Sequence, residues 1–538
     1  MHTRHTPGAI LAVMAVGCVG NIGDNDAPEG PIISKEAEQE VAVSGLRRLS
    51  VAEYRQTVWD LLGVEATSAF EILPSDTLSP FDNDYTLQTP SEPLIKGAEL
   101  LAGDVAEAVI ASPELRAKVV GCEPSSASDA ACFESFVSSF GRRALRRPLA
   151  TTEVERFAGL LTFGIEEGDF WVGVGAALRA FLQHPEFLYR VEIGTALAGL
   201  STVHRLNAFE ISARLSYFLL GTTPPDWLLD AAEAGDLDTP DGIATAAVEL
   251  FADDRARDRV NRFHAMWLSY DKLSRDGLFG AMHDETNALL ERIIFEEKRP
   301  WVDVLTAGET FLTPELADHY GLPSPGTTAD WVEYADSGRL GLLSQGTFLS
   351  AVAKFGDTSP TQRGLLVRTR LFCETIPKPP ADLKVNVDMP PPSADPDACK
   401  QERYYMSKDP TCSGCHKLMD PIGFGLEAYD STGQFRETEP NRPDCVIDGE
   451  GNFEGMGTFN GPAELAQLAV ESGKVEACVA TQLYRFAVGR TELDDYDFAL
   501  IDRVVSATSS DGGLDFEAFI TSYVTSEAFV FRRDEVVP

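Results

Sequence analysis

Apolar side chains recur at helical spacing along most of the chain, beginning in residues 46–64. Ser50 precedes the first stripe and Glu53 follows three residues later, a pair that predicts a capping box at a helix N-terminus. The apolar positions of this stripe, three or four residues apart, are Val51, Tyr54, Val58, Leu61 and Leu62. The segment is therefore predicted to be an amphipathic helix with one buried face.

Similar signals mark further helix starts along the chain. Thr152 and Glu155 predict a second capping box. Asn207 and Glu210 predict a third, in a helix that we expect to end at Gly221. Each of these pairs stands directly before an apolar stripe.

Helical stripes continue to the C-terminus. Ser359 is predicted to cap a helix with Pro360 at its first position, and residues 475–489 and 515–531 again show helical spacing. Alternating patterns typical of strands are scarce and short. We predict a mainly α fold built from several small helical domains.

Proline-rich and glycine-rich stretches divide the chain. The clearest linker is residues 376–400, where repeated prolines favour extended chain leading into a cysteine motif. The predicted units are a signal peptide (1–18), a flexible tether (19–44), and helical domains at 45–120, 133–200, 201–335, 336–440 and 441–538.

The charge balance excludes one class of partner. A formal net charge of -39 over 538 residues opposes binding to nucleic acid, which needs a basic surface. We expect no nucleic-acid partner, and an acidic, well-solvated surface.

The N-terminus predicts export. Arg4 is followed by the apolar run 9–16, which is too short to span a bilayer and is typical of a signal-peptide core. Gly17 and Cys18 resemble the end of a bacterial lipobox, in which Cys18 carries the lipid; an ordinary secretory signal is the alternative. We expect a protein of the periplasm, or of the outer membrane or cell surface as a lipoprotein, with membrane contact only through the anchor.

Nine cysteines in an exported protein favour disulfides. Six of them lie outside Cys18 and the cysteine motif, and six cysteines allow 15 pairings. Cys122 and Cys132 flank a polar loop and are the easiest pair to propose. The six are Cys122, Cys132, Cys373, Cys399, Cys445 and Cys478.

The motif itself is Cys412, Cys415 and His416, in the pattern C-x-x-C-H. Because the flanking residues 407–411 and 417–423 are predicted to be loops, a thioredoxin-like dithiol at a strand-to-helix junction is disfavoured. A zinc site needs two further ligands at short spacing, and a structural disulfide leaves the histidine unexplained. We favour covalent haem attachment, with His416 as the proximal iron ligand. Structural cysteines and zinc stay open as alternatives.

The segments around these signals resemble an exported bacterial family with a cytochrome-c-like segment, assembled from domains of unknown function 1587, 1595, 1592, 1588 and 1585 in that order. The similarity extends through nearly the whole mature chain. It is carried by residues 46–64, 72–84, 140–157, 181–192, 205–229, 341–350, 358–367, 409–437 and 480–492.

This resemblance implies haem c and a c-type-cytochrome-like segment near the C-terminus. The family commonly has histidine six residues before the first cysteine of the motif, where this chain has Met406. Since histidine and methionine are both common sixth ligands of haem c, we predict Met406 as the sixth ligand and Met456 as the alternative. Met419 is too near His416 to reach the opposite face. An open sixth position also remains.

Other candidates favour structural roles. His184 is predicted to pack or to cap a helix, and His264 to lie in the core. Asp82 and Asp84 could hold calcium but lack the EF-hand pattern, so a turn is favoured. The arginines of residues 141–149 are expected to pair with the chain's own carboxylates.

Two functions follow from these observations. The first is an exported, lipid-anchored c-type haem protein in electron transfer or in an oxidoreductase reaction, with a redox partner protein or an extracytoplasmic substrate. The second is a non-enzymatic surface or periplasmic binding protein with structural cysteines and no haem. Neither the substrate nor any catalytic residue is predicted.

Overall fold

The computed structural model describes residues 33, 41–65, 70–354, 356–377, 395, 397–404, 412–510 and 513–535. Helices predominate in these ranges and strands are short, which confirms the predicted mainly α fold. Cys18, with the rest of the predicted signal peptide, and Met406 lie outside the described residues. No helix within them has the length and apolar character needed to cross a bilayer.

The first helical group begins with the predicted capping box. Ser50 Oγ accepts a hydrogen bond from the backbone N–H of Glu53 at 3.3 Å, and Glu53 Oε2 accepts one from the Ser50 N–H at 3.1 Å. The helix ends at Gly63, whose φ of 69° suits glycine. The group comprises α1 (Val51–Leu62), α2 (Glu92–Ala111), α3 (Pro113–Val120), α4 (Ala130–Leu145), α5 (Thr151–Ala158), α6 (Leu161–Glu167), α7 (Phe170–Leu182) and α8 (Pro185–Leu188).

The second predicted capping box, at Thr152 and Glu155, is wrong by two residues. The N-cap of α5 is Ala150, which has no side-chain acceptor. Glu153 instead accepts from the Ala150 N–H at 2.8 Å and also binds Arg147 at 2.8 Å. The ion pair with Arg147, which lies outside the helix, selects this position of the helix start.

The middle group begins with the third capping box, as predicted. Asn207 Oδ1 accepts from the Glu210 N–H at 3.0 Å, and Glu210 Oε2 accepts from the Asn207 N–H at 2.8 Å. The helix ends at Leu219, two residues before Gly221. The helices are α9 (Ala208–Leu219), α10 (Asp226–Ala234), α11 (Pro240–Phe251), α12 (Asp254–Trp267), α13 (Gly277–Glu291), α14 (Asp303–Thr306), α15 (Pro314–Tyr320) and α16 (Gly346–Ser350).

The last group starts at Pro360 with Ser359 as its N-cap, as predicted. Its cysteine-motif helix, α19, includes residues 417–423, for which we predicted a loop. That prediction is wrong, and Pro421 lies inside the helix. The helices are α17 (Pro360–Leu366), α18 (Lys400–Arg403), α19 (Ser413–Phe424), α20 (Gly461–Glu471), α21 (Val475–Val488), α22 (Asp495–Thr508), α23 (Phe516–Val524) and α24 (Glu527–Val530).

Short antiparallel strands join distant parts of the chain. The strands are β1 (Arg47–Arg48), β2 (Tyr189–Arg190), β3 (Thr195–Leu197), β4 (Leu200–Arg205), β5 (Glu309–Leu312), β6 (Asp330–Glu333), β7 (Thr438–Glu439), β8 (Arg442–Val446), β9 (Glu450–Phe453), β10 (Gly457–Asn460), β11 (Ser509–Ser510), β12 (Gly513–Leu514) and β13 (Phe531–Arg533). In the three-stranded sheet, with the order β13-β4-β3, the last strand pairs with a strand near residue 200. The other described sheets are β1-β2, β5-β6, β7-β8, β9-β10 and β11-β12.

Two main apolar cores lie beneath these elements. One is formed by side chains of α1 to α8, and the other by side chains from β4 to β13. Tyr217 of α9 belongs to the first core, and its hydroxyl lies 3.1 Å from Thr57 Oγ1 of α1. The N-terminal and middle groups are therefore packed together through a buried polar contact.

Candidate functional site

The cysteine motif forms the first turn of α19. The backbone N–H groups of Cys415 and His416 donate to the carbonyl oxygen of Cys412 at 3.3 and 3.1 Å. Residues three and four apart in a helix share one face, so this turn brings the two thiols and the imidazole to the same side. This helix was not predicted from the sequence.

The six cysteines other than Cys18 and the two of the motif form three disulfides. Cys122 pairs with Cys132, as predicted, and the other pairs are Cys373–Cys478 and Cys399–Cys445. Cys412 and Cys415 take part in none of them, and both are half-buried.

The disulfides also bear on the zinc alternative. Cys399 and Cys445 lie with Glu439 in a group of metal-ligand type. Because the two sulfurs are bonded to each other, they supply no thiolate pair that could complete a zinc site with the motif.

Two glycines allow α17 to cross α19 in close contact. A Cβ atom on Gly364 would collide with the carbonyl oxygen of Met419, and one on Gly423 with that of Pro360. This packing explains why α19 continues through Pro421, which removes one helical hydrogen bond. The cysteine motif is thus fixed to a rigid neighbouring helix.

Asp420 orients the imidazole of His416. Its Oδ2 lies 2.9 Å from His416 Nδ1, and its Oδ1 accepts a hydrogen bond from Thr361 Oγ1 of α17 at 2.7 Å. An ionised carboxylate can only accept, so Nδ1 carries the proton and Nε2 is left with its lone pair. No described residue forms a hydrogen bond with Nε2. The hydrogen bond with Asp420 also raises the pKa of His416 above its usual value, against the opposing effect of burial.

A cleft of about 670 Å³ opens beside His416. Such a volume is within the range of small-molecule and cofactor sites. Its aromatic lining comes from Tyr404, Phe424 of α19 and Phe459 of β10, and Gly451 of β9 also lines it. Gly451 is required there because a Cβ would collide with the ring of Phe459.

Charged side chains line the rim of this cleft. The carboxylates of Asp448, Glu450 and Glu464 and the ammonium group of Lys417 are among its lining groups. Three carboxylates against one ammonium group give the mouth an acidic character, in addition to the carboxylate that orients His416.

A buried ion-pair network supports the near side of the cleft, beneath Tyr404. Lys400 Nζ, at the start of α18, lies 2.6 Å from Asp357 and 2.9 Å from Glu427. Arg436 binds the same two carboxylates at 3.0 and 3.1 Å. The network fixes α18 to the loop before α17 and to the chain after α19, so the elements around the motif form one connected unit.

Of the two predicted sixth ligands, Met406 and Met456, the structure describes only Met456. Met406 lies outside the described residues. Met456 lies in the turn between β9 and β10, packs against the C-terminal core, and is not among the described side chains that line the cleft. Met419 is buried within α19.

The histidines predicted to be structural have that role. His184 is the N-cap of α8, and its Nδ1 accepts from the Glu186 N–H at 3.2 Å. His264 is fully buried, with Nδ1 2.8 Å from the Val260 carbonyl oxygen and Nε2 accepting from Trp301 Nε1 at 2.9 Å. Burial lowers the pKa of His264 to about 4, so it is a neutral core residue.

The acidic pair Asp82 and Asp84 is also structural. Asp82 is bound to Arg262. Asp84 caps a 3-10 turn through Thr86 and accepts from the Thr491 N–H at 3.1 Å. Their partners account for the turn that the sequence favoured over a calcium site.

Three of the four arginines in residues 141–149 pair with carboxylates, as predicted. Arg142 binds Asp230 and Glu233, Arg143 lies 3.5 Å from Asp226, and Arg147 binds Glu153 and Glu186. For Arg146 the prediction is wrong. Its guanidinium donates to Tyr217 Oη at 3.0 Å and to the backbone carbonyl groups of Phe187 and Tyr189 at 3.3 and 3.0 Å, because no carboxylate of the described chain reaches it.

Comparison with protein-family models gives five matches. All carry the description "protein of unknown function", and in chain order they are DUF1587 (residues 47–111), DUF1595 (132–192), DUF1592 (206–322), DUF1588 (339–439) and DUF1585 (457–529). The cysteine motif, Asp420 and α17 all fall within the fourth match. No curated protein and no solved structure gave a match.

Proposed function

The chain belongs to the multidomain family defined by DUF1587, DUF1595, DUF1592, DUF1588 and DUF1585 in this order. We propose that it is an exported c-type haem protein. It would transfer electrons to or from a partner protein or a substrate outside the cytoplasm. One observation carries the proposal. Two thiols outside the disulfides and a histidine with its Nδ1 bonded to a carboxylate share one helical turn beside a cleft of cofactor size.

The side chains at this turn suit haem c. Cys412 and Cys415 would hold it through thioether bonds, and His416 Nε2 would ligate the iron. The aromatic walls of the cleft, Tyr404 and Phe459, offer apolar contact to a flat macrocycle. A bound haem would supply one-electron redox chemistry, and the chain would supply position, polarity and access.

Asp420 would tune the proximal ligand. Metal-binding histidines usually donate their second ring N–H to a carboxylate or carbonyl group, which fixes the tautomer and raises the basicity of the ligating nitrogen. Asp420 is in that position relative to His416, and Thr361 holds the carboxylate in turn. The expected consequence is a more electron-rich iron than a neutral acceptor on Nδ1 would give.

The acidic mouth of the cleft favours a basic partner. Carboxylates at the rim raise the encounter rate with a positively charged surface, and salt screens this attraction. We therefore propose a redox partner whose contact face is basic. Its electron-transfer rate should fall as ionic strength rises.

Met406 remains the proposed sixth ligand and Met456 the alternative. Met406→Leu should open the iron of the reduced protein to carbon monoxide, whereas Met456→Leu should leave the spectrum unchanged. The reverse result assigns the role to Met456. If neither variant changes the spectrum, the sixth position is open or is held by another group.

Export and lipid anchoring belong to the same proposal. Three disulfides support an oxidising compartment, which is also where haem c is attached. We propose that Cys18 carries the lipid. Cys18→Ala should then abolish fatty-acid labelling and release the protein from membranes; labelling that persists would contradict the anchor and leave ordinary secretion.

Haem staining of a denaturing gel tests the function. The protein produced with the haem-maturation machinery should stain, and Cys412→Ser/Cys415→Ser should not. The double variant Cys122→Ser/Cys132→Ser is the matched control, because it removes a disulfide far from the motif and should still stain. An unstained wild-type band would favour the non-enzymatic binding protein with structural cysteines.

A further inference from the structure

A second cleft, of about 370 Å³, lies far along the chain from the cysteine motif. It is formed by the C-terminal end of α4, the strand β2 with the residues that follow it, and the start of α9. The DUF1595 match ends at residue 192 and the DUF1592 match begins at residue 206. The cleft therefore lies at the junction of two family domains, a common location for ligand sites.

Arg190 lines this cleft, and no described residue accepts a hydrogen bond from its side chain. Only 6 % of the residue is exposed. Its guanidinium stands over the ring of Tyr217, with 5.4 Å between Cζ and the ring centroid. Within the described residues its Nε is buried without a hydrogen bond, and none of its guanidinium nitrogens donates to a protein acceptor or lies within ion-pair distance of a carboxylate. The Nε–H group of Arg190 is therefore a buried donor without an acceptor among the described residues, whereas buried donors are normally paired.

A second arginine faces Arg190 in the sheet. Arg47 of β1 is its direct partner in the register with β2, and like charges in facing positions repel each other. Arg47 donates to the Ala487 carbonyl oxygen and to Ser44, so no carboxylate binds it either. Burial lowers the pKa of Arg47 to about 10, with an opposing effect from Glu192 and a further lowering by Arg190.

The carboxylates of the cleft are already bound. Glu192 binds Arg214 at 2.6 Å, and Glu186 binds Arg147 at 2.7 Å. Glu210 accepts from backbone N–H groups at the start of α9 and at residues 193 and 194. Burial lowers the pKa of Arg190, and the nearby charges of Glu53 and Glu192 oppose this effect. No described carboxylate forms an ion pair or a hydrogen bond with the guanidinium, so the cleft has at its base a buried cation without a direct carboxylate partner.

From this arrangement we infer that the cleft binds a small organic monocarboxylate whose carboxylate pairs with Arg190. The planar guanidinium fork matches a carboxylate in two parallel hydrogen bonds. The glutamates of the lining disfavour a dianion such as phosphate at neutral pH. Apolar side chains fit the carbon body of the ligand; they are Leu145, Val191, Ile193, Phe209 and Ala213.

Calorimetric titration of the full exported protein with sodium butyrate in a chloride buffer tests the inference. Butyrate should show saturable one-to-one binding, and acetate should bind on the order of tenfold more weakly because it buries fewer methylene groups. Phosphate should bind more weakly than either. Absence of saturable butyrate binding, or a preference for phosphate, would overturn the proposal.

Variants separate a binding role from a structural one. Arg190→Met should abolish butyrate binding, and Arg190→Lys should weaken it about tenfold because the fork is lost. Arg142→Met is the control, since Arg142 lies on α4 outside the cleft and binds exposed carboxylates. Without ligand, Arg190→Met should melt at or above the wild-type temperature, because an unpaired buried charge is removed. A large fall in its melting temperature, or unchanged butyrate binding in either variant, would contradict the inference.

Discussion

Replacing Asp420 with Asn should move the imidazole proton of His416 to the nitrogen that faces iron in our proposal. In the native site Nδ1 must donate to Asp420, while Thr361 donates to the other carboxylate oxygen. In the variant, Thr361 Oγ1 can still donate its hydrogen bond to the side-chain amide oxygen at position 420. The amide NH₂ group then faces the imidazole, so Nδ1 of His416 has to accept a hydrogen bond from it. The proton then lies on Nε2, the tautomer that cannot ligate a metal.

The same change should cost stability in a pH-dependent way. A hydrogen bond to a charged group contributes about 1.5–3 kcal/mol. The side chain of His416 is 25 % exposed and that of Asp420 is 9 % exposed, so we expect about 1–2 kcal/mol near pH 5.5 after allowance for solvent screening. The bond with Asp420 raises the pKa of His416. Its charge-dependent stabilisation is complete below the unfolded-state pKa of about 6.5 and is lost as pH rises through the folded-state pKa.

Two measurements on the haem-free protein check this reasoning. Long-range nitrogen–proton NMR correlations report the tautomer of His416, and urea unfolding at pH 5.5 and pH 8.5 reports the free-energy difference. Thr361→Val is the control, because it leaves the bond between Asp420 and His416 in place. If Asp420→Asn retains the Nδ1–H tautomer, or loses equal stability at both pH values, the role assigned to Asp420 is refuted.

Three further predictions concern stability, each measured by urea unfolding of the oxidised protein. Gly423→Ala should destabilise the protein by about 1–3 kcal/mol because the added Cβ meets the backbone of α17. In Gly414→Ala, in the same helix, the added Cβ meets no atom, so this variant should keep the wild-type stability. Equal losses in the two variants would contradict the close helix crossing. Burial raises the pKa of Glu285 to about 7, so the stabilisation by its neutral form is present below pH 4.5 and falls by roughly 3 kcal/mol as pH rises past 7. Glu285→Gln should lack this fall; an identical pH profile would refute the assignment. Removing the disulfide between Cys373 and Cys478, which are 105 residues apart, should cost about 4–5 kcal/mol, and a loss under 1 kcal/mol would contradict it.

Local signals predicted the helices whose caps and stripes are complete within one segment. The capping boxes at Ser50 and Asn207 are confirmed because both partners lie within three residues of each other. The box at Thr152 was placed wrongly because a contact from outside the helix, between Arg147 and Glu153, selects the start. Periodicity alone carries no information on such a contact.

The candidate site was predicted in its residue types and not in its geometry. C-x-x-C-H is visible in the sequence, but residues 417–423, which include Pro421, were predicted to be a loop where the structure has a helix. Packing against Gly364 outweighs the local cost of proline there. With that helix in place, Asp420 lies one turn from His416 and becomes its hydrogen-bond partner. A helical reading of residues 413–424 would have shown this spacing.

Pairings between residues far apart along the chain could not be predicted from the sequence. Six cysteines allow 15 arrangements, and only the pair that closes a short loop, Cys122–Cys132, could be proposed. Arg47 and Arg190 are direct partners in the β1–β2 pair although they are 143 residues apart along the chain. The cleft with its buried cation exists only once this pairing forms.

The mass of the tryptic peptide 409–417 shows whether haem is attached to the cysteine motif. This peptide contains Cys412, Cys415 and His416 and is released by cleavage after Lys408 and Lys417. From cells that contain the haem-maturation machinery, the account predicts a peptide heavier by one haem, with both thiols blocked to alkylation. A peptide of unmodified mass, or one that is lighter by the two hydrogens of a disulfide, would contradict it.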